Sequence, residues 1–215
     1  MSIQFDKVQP KNKAQLKSLI DYAFKHNIYD LNFIDTSKIT NMSWLFENVK
    51  HNFDVSNWDV SNVTYMNGIF NSCFKFKGKG LENWNVSNVT SMYSMFTACE
   101  NFEGKGLENW NVSKVKDMYS MFYGCKKLNC DLSNWDMSNV TKADNMFYKC
   151  KTFNCDLSNW DVSNIKNMKN MFAECEKFEG KGLENWDVSK VKNMNYMFAG
   201  CDKITTPKWY KKYNF

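Results

Sequence analysis

The chain has 215 residues, 43% of them apolar, and its net charge of +5 arises from 28 lysines, no arginine and 23 acidic residues. That length can bury a core as one domain, and no run approaches the roughly eighteen consecutive apolar residues of a membrane span. Lysines scattered among acids, with no arginine for bidentate phosphate or base-edge contacts, exclude a dedicated nucleic-acid binder.

Residues 1–29 read as a helical cap. The stretch PKNKAQLKSLIDYAFKHNI places Leu16, Leu19, Ile20, Ala23 and Phe24 on one helical face behind Pro10, so it can shield the open end of the first repeat unit. The first residues, MSIQFDKVQPKNK, lack the apolar centre of a secretory signal. An untrimmed chain is therefore expected in the cytoplasm, and cell-surface display would require a leader that has been removed.

Residues 30–204 are a repeat array. Trp58, Trp84, Trp110, Trp135, Trp160 and Trp186 recur every 25 or 26 residues, a period that signals stacked units, each burying its apolar face on the next. Counting from each Trp, position five is Val or Ile, and position eight is Met except for Ala143. Position eleven is Met except for Ile69, position twelve is always Phe and position fifteen always Cys. A degenerate first unit, ITNMSWLFENV, repeats the pattern with Ile34 where Trp would stand. These offsets have helical spacing, and Ser at position three (Ser61, Ser87, Ser113, Ser138, Ser163, Ser189) is a favoured N-cap. The remaining FEGKGLENW or FNCDLSNW segment reads as a short strand and a bend. The expectation is an α/β repeat solenoid, leucine-rich-repeat-like, with about seven units of 25–26 residues, each a short strand plus a short helix. Residues 205–215, TTPKWYKKYNF, supply Trp209, Tyr210, Tyr213 and Phe215 as a C-terminal cap.

WDVSNVTxMxxMFxxCxxF, iterated over residues 34–204, resembles the BspA-like bacterial surface-protein repeat, domain of unknown function 285, found in mycoplasma lipoproteins and in surface proteins of other low-GC bacteria. The resemblance implies a curved leucine-rich-repeat-like array used in adhesion or protein recognition. Many members carry an export signal, which the front of this chain lacks.

The constant residues offer little chemistry. Six cysteines belong to the position-fifteen series and read as small core hydrophobes. Cys130 and Cys155, five residues before Trp135 and Trp160, stand one repeat apart. Adjacent coils lie about 4.8 Å apart, so the two can pair as a disulfide in an oxidising compartment or stack as free thiols in a reducing one. The CKKLNC and CKTFNC spacing is too wide for a zinc knuckle, so no metal is assigned. With only His26 and His51 outside the regular repeats, no catalytic grouping emerges; neither a catalytic residue nor a cofactor is assigned. The resemblance to leucine-rich repeats implies that the Asn before each Trp bonds the backbone of neighbouring turns, as a ladder of amides.

Variation falls on the exposed offsets. Tyr93 and Tyr119 share one offset and Tyr123 and Tyr148 another, which suggests a tyrosine-rich patch for binding a protein ligand. The leading reading is a non-enzymatic protein-recognition or adhesion module. An intracellular partner or inhibitor of the immunity-protein type is the alternative, and end-to-end self-association stays open. Ice or carbohydrate binding ranks lower, because the position-six row Thr64, Thr90, Lys116, Thr141, Lys166, Lys192 is a poor lattice.

Overall fold

The computed structural model describes residues 7–211. Tyr213 and Phe215 lie outside the described residues. Helix α1 (Lys13–Lys25) starts at Asn12, whose side chain accepts from the Gln15 N–H at 3.0 Å. It buries Leu16, Ile20 and Ala23 and rests Leu19 and Phe24 on the core. The Phe24 ring lies 5.8 Å from Phe53 and 6.3 Å from Phe46, so α1 docks on the first unit. A four-residue helix, α2 (Lys208–Lys211), comes after the last unit.

Between them the strand-and-helix solenoid with leucine-rich-repeat-like geometry is overturned. Among the described residues the seven units hold no α-helix and no strand. Regular backbone there is limited to two 3₁₀ turns, Leu81–Asn83 and Leu183–Asn185, and to single parallel bridges between successive units. The reason is backbone handedness. At position ten, Trp44, Gly68, Ser94, Ser120, Asn145, Asn170 and Tyr196 all have positive φ. So do Asn48, Ser72, Ala98, Gly124, Lys149, Glu174 and Gly200 at position fourteen. A right-handed helix cannot run through a left-handed residue every fourth step. Each unit instead makes two successive four-residue turns. In the third Met92–Met95 closes at 3.2 Å with Ser94 third, and Phe96–Cys99 closes at 3.0 Å with Ala98 third. A turn with positive φ at its third residue is type II.

The other amide groups go outward to the next coil. Met92, Ser94, Phe96 and Ala98 donate to the carbonyls of Asp117, Tyr119, Met121 and Tyr123 at 2.6 to 3.0 Å. Local and inter-coil bonds alternate along this stretch, so neighbouring N–H groups are satisfied without helix or sheet. The serines at position three do not cap helices either. Their N–H groups are taken by the Asp or Asn two residues earlier, from Asp59 with Ser61 to Asp187 with Ser189, at 2.9 to 3.2 Å. These are Asx-turns, and they bend the chain after each Trp.

Inside, equivalent side chains stand over one another. The phenylalanine rings at position twelve, from Phe46 to Phe198, stack in sequence at 5.3 to 5.9 Å. Each buried polar atom on these core residues reaches back one coil. The tryptophan Nε1–H groups of Trp58, Trp84, Trp110, Trp135, Trp160, Trp186 and Trp209 donate to backbone carbonyls of the preceding coil at 2.7 to 3.3 Å. The thiols of Cys73, Cys99, Cys125, Cys150, Cys175 and Cys201 donate to the preceding phenylalanine carbonyl at 2.9 to 3.0 Å. Each of these carbonyls also accepts a local turn N–H, so the indole or thiol takes up its second lone pair and ties the local turn to the next coil. An amide ladder does run along the stack, at position four: Asn62, Asn88, Asn139 and Asn164 each donate 2.8 Å to a serine carbonyl of the coil before. Of the asparagines before each Trp, Asn83 bonds the Ser56 carbonyl at 3.1 Å.

Candidate functional site

With the interior constant, candidate sites lie where the turns present side chains to solvent. The structure pairs the four predicted tyrosines. Tyr93 and Tyr119 stack with ring centroids 5.2 Å apart and planes at 12°. Tyr123 and Tyr148 lie 4.8 Å apart and tilted by 31°.

The first pair extends further than the sequence suggests. Trp44 meets Tyr93 edge-on at 6.1 Å, although the two belong to units two apart. The intervening unit carries Gly68 at the position of Trp44. A Cβ built on Gly68 would lie 2.1 Å from the indole ring, so glycine makes room for that ring to cross one coil and reach the next. Trp44 is 38% exposed, Tyr93 37% and Tyr65, bridged to Asn41 and Ser91, 48%. The result is a surface row, Trp44–Tyr93–Tyr119, with Tyr65 beside it. Sequence reasoning misses Trp44 because it sits in the degenerate first unit, where it reads as part of the helix face. Its signal is a Trp at the offset where other units carry Gly, Ser, Asn or Tyr.

The second pair is tied to charge. The Tyr148 hydroxyl donates to Glu174 Oε1 at 2.7 Å, and Lys149 Nζ lies 5.0 Å over the Tyr148 ring and 3.7 Å from Glu174. The bond to Glu174 raises the Tyr148 pKa above its ordinary value. This tyrosine is held in place before any partner arrives.

Cys130 and Cys155 are free thiols, 8% and 7% exposed, at the floor of a shallow cleft of about 470 Å³ lined also by Asn129, Asp131, Asn154 and Asp156. Cys130 Sγ fills the space over Gly104, where a Cβ would come within 2.3 Å of it. Cys155 Sγ accepts from the Leu132 N–H at 3.1 Å. Burial pushes the Cys130 thiol up and the Cys155 thiol up to about 11. Both are thus protonated at neutral pH and poor nucleophiles. Among the described residues no group of three or more His, Cys, Asp and Glu side chains is placed to hold a metal ion. Nor is any helix there long and apolar enough to cross a membrane.

Comparison with known proteins adds one finding. No curated protein and no solved structure matches the chain. One family matches it twice, over residues 14–106 and 91–210, spans that together take in helix α1 from its second residue, all seven units and Trp209. On that match the chain belongs to the family described as "Mycoplasma protein of unknown function, DUF285".

Proposed function

We propose that the chain is a non-enzymatic protein-recognition module of the BspA-like kind, binding a protein ligand through its exposed aromatic row. The observation that carries this reading is the Trp44–Tyr93–Tyr119 stack. It is an exposed aromatic strip, preassembled by ring packing over Gly68, on a molecule whose interior positions are otherwise repeated nearly unchanged. Large aromatic side chains with few rotatable bonds lose little entropy on binding and dominate recognition energetics. The repeat also spreads identical groups along a line, whereas acid–base catalysis needs different groups converging on one point. Adhesion at a cell surface and service as an intracellular inhibitor use the same surface, and cell fractionation distinguishes them.

The test is partner capture by cross-linking, followed by identification of the captured protein. A variant combining Trp44→Ala with Tyr93→Ser, Tyr119→Ser, Tyr123→Ser and Tyr148→Ser loses the partner while keeping its unfolding midpoint. Undiminished capture by a folded variant overturns the proposal.

A further inference from the structure

The aromatic row occupies one half of a longer face. Positions four to ten of all seven units form a continuous strip, because position seven is bridged from coil to coil: Asn41, Tyr65, Ser91, Asp117, Lys142, Asn167, Asn193. The backbone N–H at position six also bonds the position-six carbonyl of the preceding coil from Thr64 to Lys192. Units one to four place Trp44, Tyr65, Tyr93 and Tyr119 on this strip, and Tyr196, 67% exposed, stands on it in unit seven. Units four to seven place Lys114, Lys116, Lys142, Lys166, Lys169, Lys190 and Lys192 on it, all exposed, and Lys38 belongs to unit one. The only acids at these positions are Asp117 and Asp144. With eight lysines against two aspartates, the strip carries +6, while the whole chain carries +5. The molecule's excess charge is therefore concentrated on one end of one face.

This charge is also uncommitted. Of the eight ion pairs among the described residues, only Lys142–Asp117 lies on the strip. Lys114 and Lys190 donate to the side chains of Asn88 and Asn164 at 2.7 Å, which positions them without neutralising them. Off the strip, Lys79, Lys105, Lys126, Lys151 and Lys181 are each matched to a carboxylate.

Building on the recognition reading, we infer that the ligand of this face is an extended acidic protein segment, apolar or aromatic where it meets units one to four and rich in Asp and Glu where it meets units four to seven. Seven coils at about 4.8 Å span roughly 29 Å, which an extended chain covers in about nine residues. Single-stranded nucleic acid is the competing polyanion, and the arrangement disfavours it. Base stacking on a protein uses aromatic faces interleaved with basic groups. Here four of the five rings lie on units one to four and seven of the eight lysines on units four to seven, and Tyr93 and Tyr119 cover each other's faces.

The test measures fluorescence anisotropy on the full chain with a labelled peptide of about nine residues, Phe and Leu at one end and Glu at the other. A Glu-to-Gln version of the peptide and an oligo-dT of equal length serve as comparisons. The acidic peptide is expected to bind at least about tenfold more tightly than its Gln version, with the advantage shrinking as salt rises. Lys116→Glu, Lys166→Glu, Lys169→Glu and Lys192→Glu together remove that advantage. Lys75→Glu with Lys77→Glu, exposed but off the strip, leaves it intact. If the quadruple variant does not retain the wild-type unfolding midpoint, the same four changes to Gln replace it. Equal binding of the Glu and Gln peptides, equal loss in the off-strip variant, or tighter binding of oligo-dT overturns the inference. Any of these results together with loss of partner capture in the aromatic variant would refute the acidic ligand and leave the recognition reading standing.

Discussion

Replacing Ala98 by Gly distinguishes a turn-built coil from a helical one, because the two predict opposite signs. Ala98 is the third residue of the Phe96–Cys99 turn and has φ +57°. A non-glycine residue in the left-handed region costs about 1–2 kcal/mol, and glycine removes that cost. Against this, glycine gains unfolded-chain entropy worth about 0.4–1 kcal/mol. The net is a stabilisation of about 0.5–1 kcal/mol. In a helix interior the same change would destabilise by about 1 kcal/mol. Gly124 occupies the equivalent place one coil on, at φ +72°, and a Cβ added there would meet only ordinary contacts, the nearest 3.7 Å away at Ala98 Cα. Gly124→Ala therefore isolates the backbone effect and should cost about 0.5–1 kcal/mol, with no steric contribution. Urea unfolding measures both, and an unchanged m-value shows that stability alone has moved. A destabilised Ala98→Gly together with a stabilised Gly124→Ala would refute the turn assignment.

Other consequences can be measured separately. Phe122, fully buried and stacked 5.6 Å from both Phe96 and Phe147, should cost about 3–5 kcal/mol when changed to Ala, read from the urea midpoint. Burial raises the pKa of every cysteine thiol, with Cys155 and Cys201 at about 11. All eight should thus react slowly with iodoacetamide at neutral pH in the folded chain and quickly in denaturant; one rapid thiol in the folded chain would contradict the packing. His51 lies 4.4 Å from both the Phe24 and Tyr29 rings, with Nε2 buried and unbonded, and burial followed by Lys75 lowers its pKa. The unfolded chain then takes up a proton near pH 6.5 that the folded chain refuses, so this contribution to stability is full above that pH. It falls with acidification by at most about 1.4 kcal/mol per pH unit. His51→Phe should flatten that part of the pH–stability curve, and parallel curves would disprove it.

The interior is legible in the sequence and the backbone is not. Phe at position twelve and Cys at position fifteen have to be buried because they recur at one period, and a residue one period away is its neighbour in the next coil. Spacings of three and four residues, however, return a side chain to the same side both in a helix and in a run of four-residue turns. Handedness decides between them, and Ser94, Ala98, Lys149 and Glu174 give no hint of it; Gly68, Gly124 and Gly200, with Asn48, Asn145 and Asn170, do. Ser61 and its equivalents mislead for a related reason. A serine before a periodic apolar run looks like a cap, but no helix follows it, and its N–H instead closes a turn on Asp59 or its counterpart two residues earlier. Tyr93 with Tyr119 and Tyr123 with Tyr148 can be paired from their shared offsets. Trp44 cannot, because its reach depends on the missing side chain of Gly68 in a different unit.

The indole and thiol donors all point toward the N-terminal neighbour, which gives the array a polarity. The inter-coil main-chain N–H groups at positions eight to fourteen reach the other way, from Met92 to Asp117 and from Ala98 to Tyr123, so these side-chain and main-chain donors run in opposite senses along the stack. Trp209 answers the last unit with the group another coil would have supplied, its Nε1 at 2.7 Å from the Leu183 oxygen. The short segment bearing Trp209 thus stands in for one more tryptophan of the series without carrying another unit.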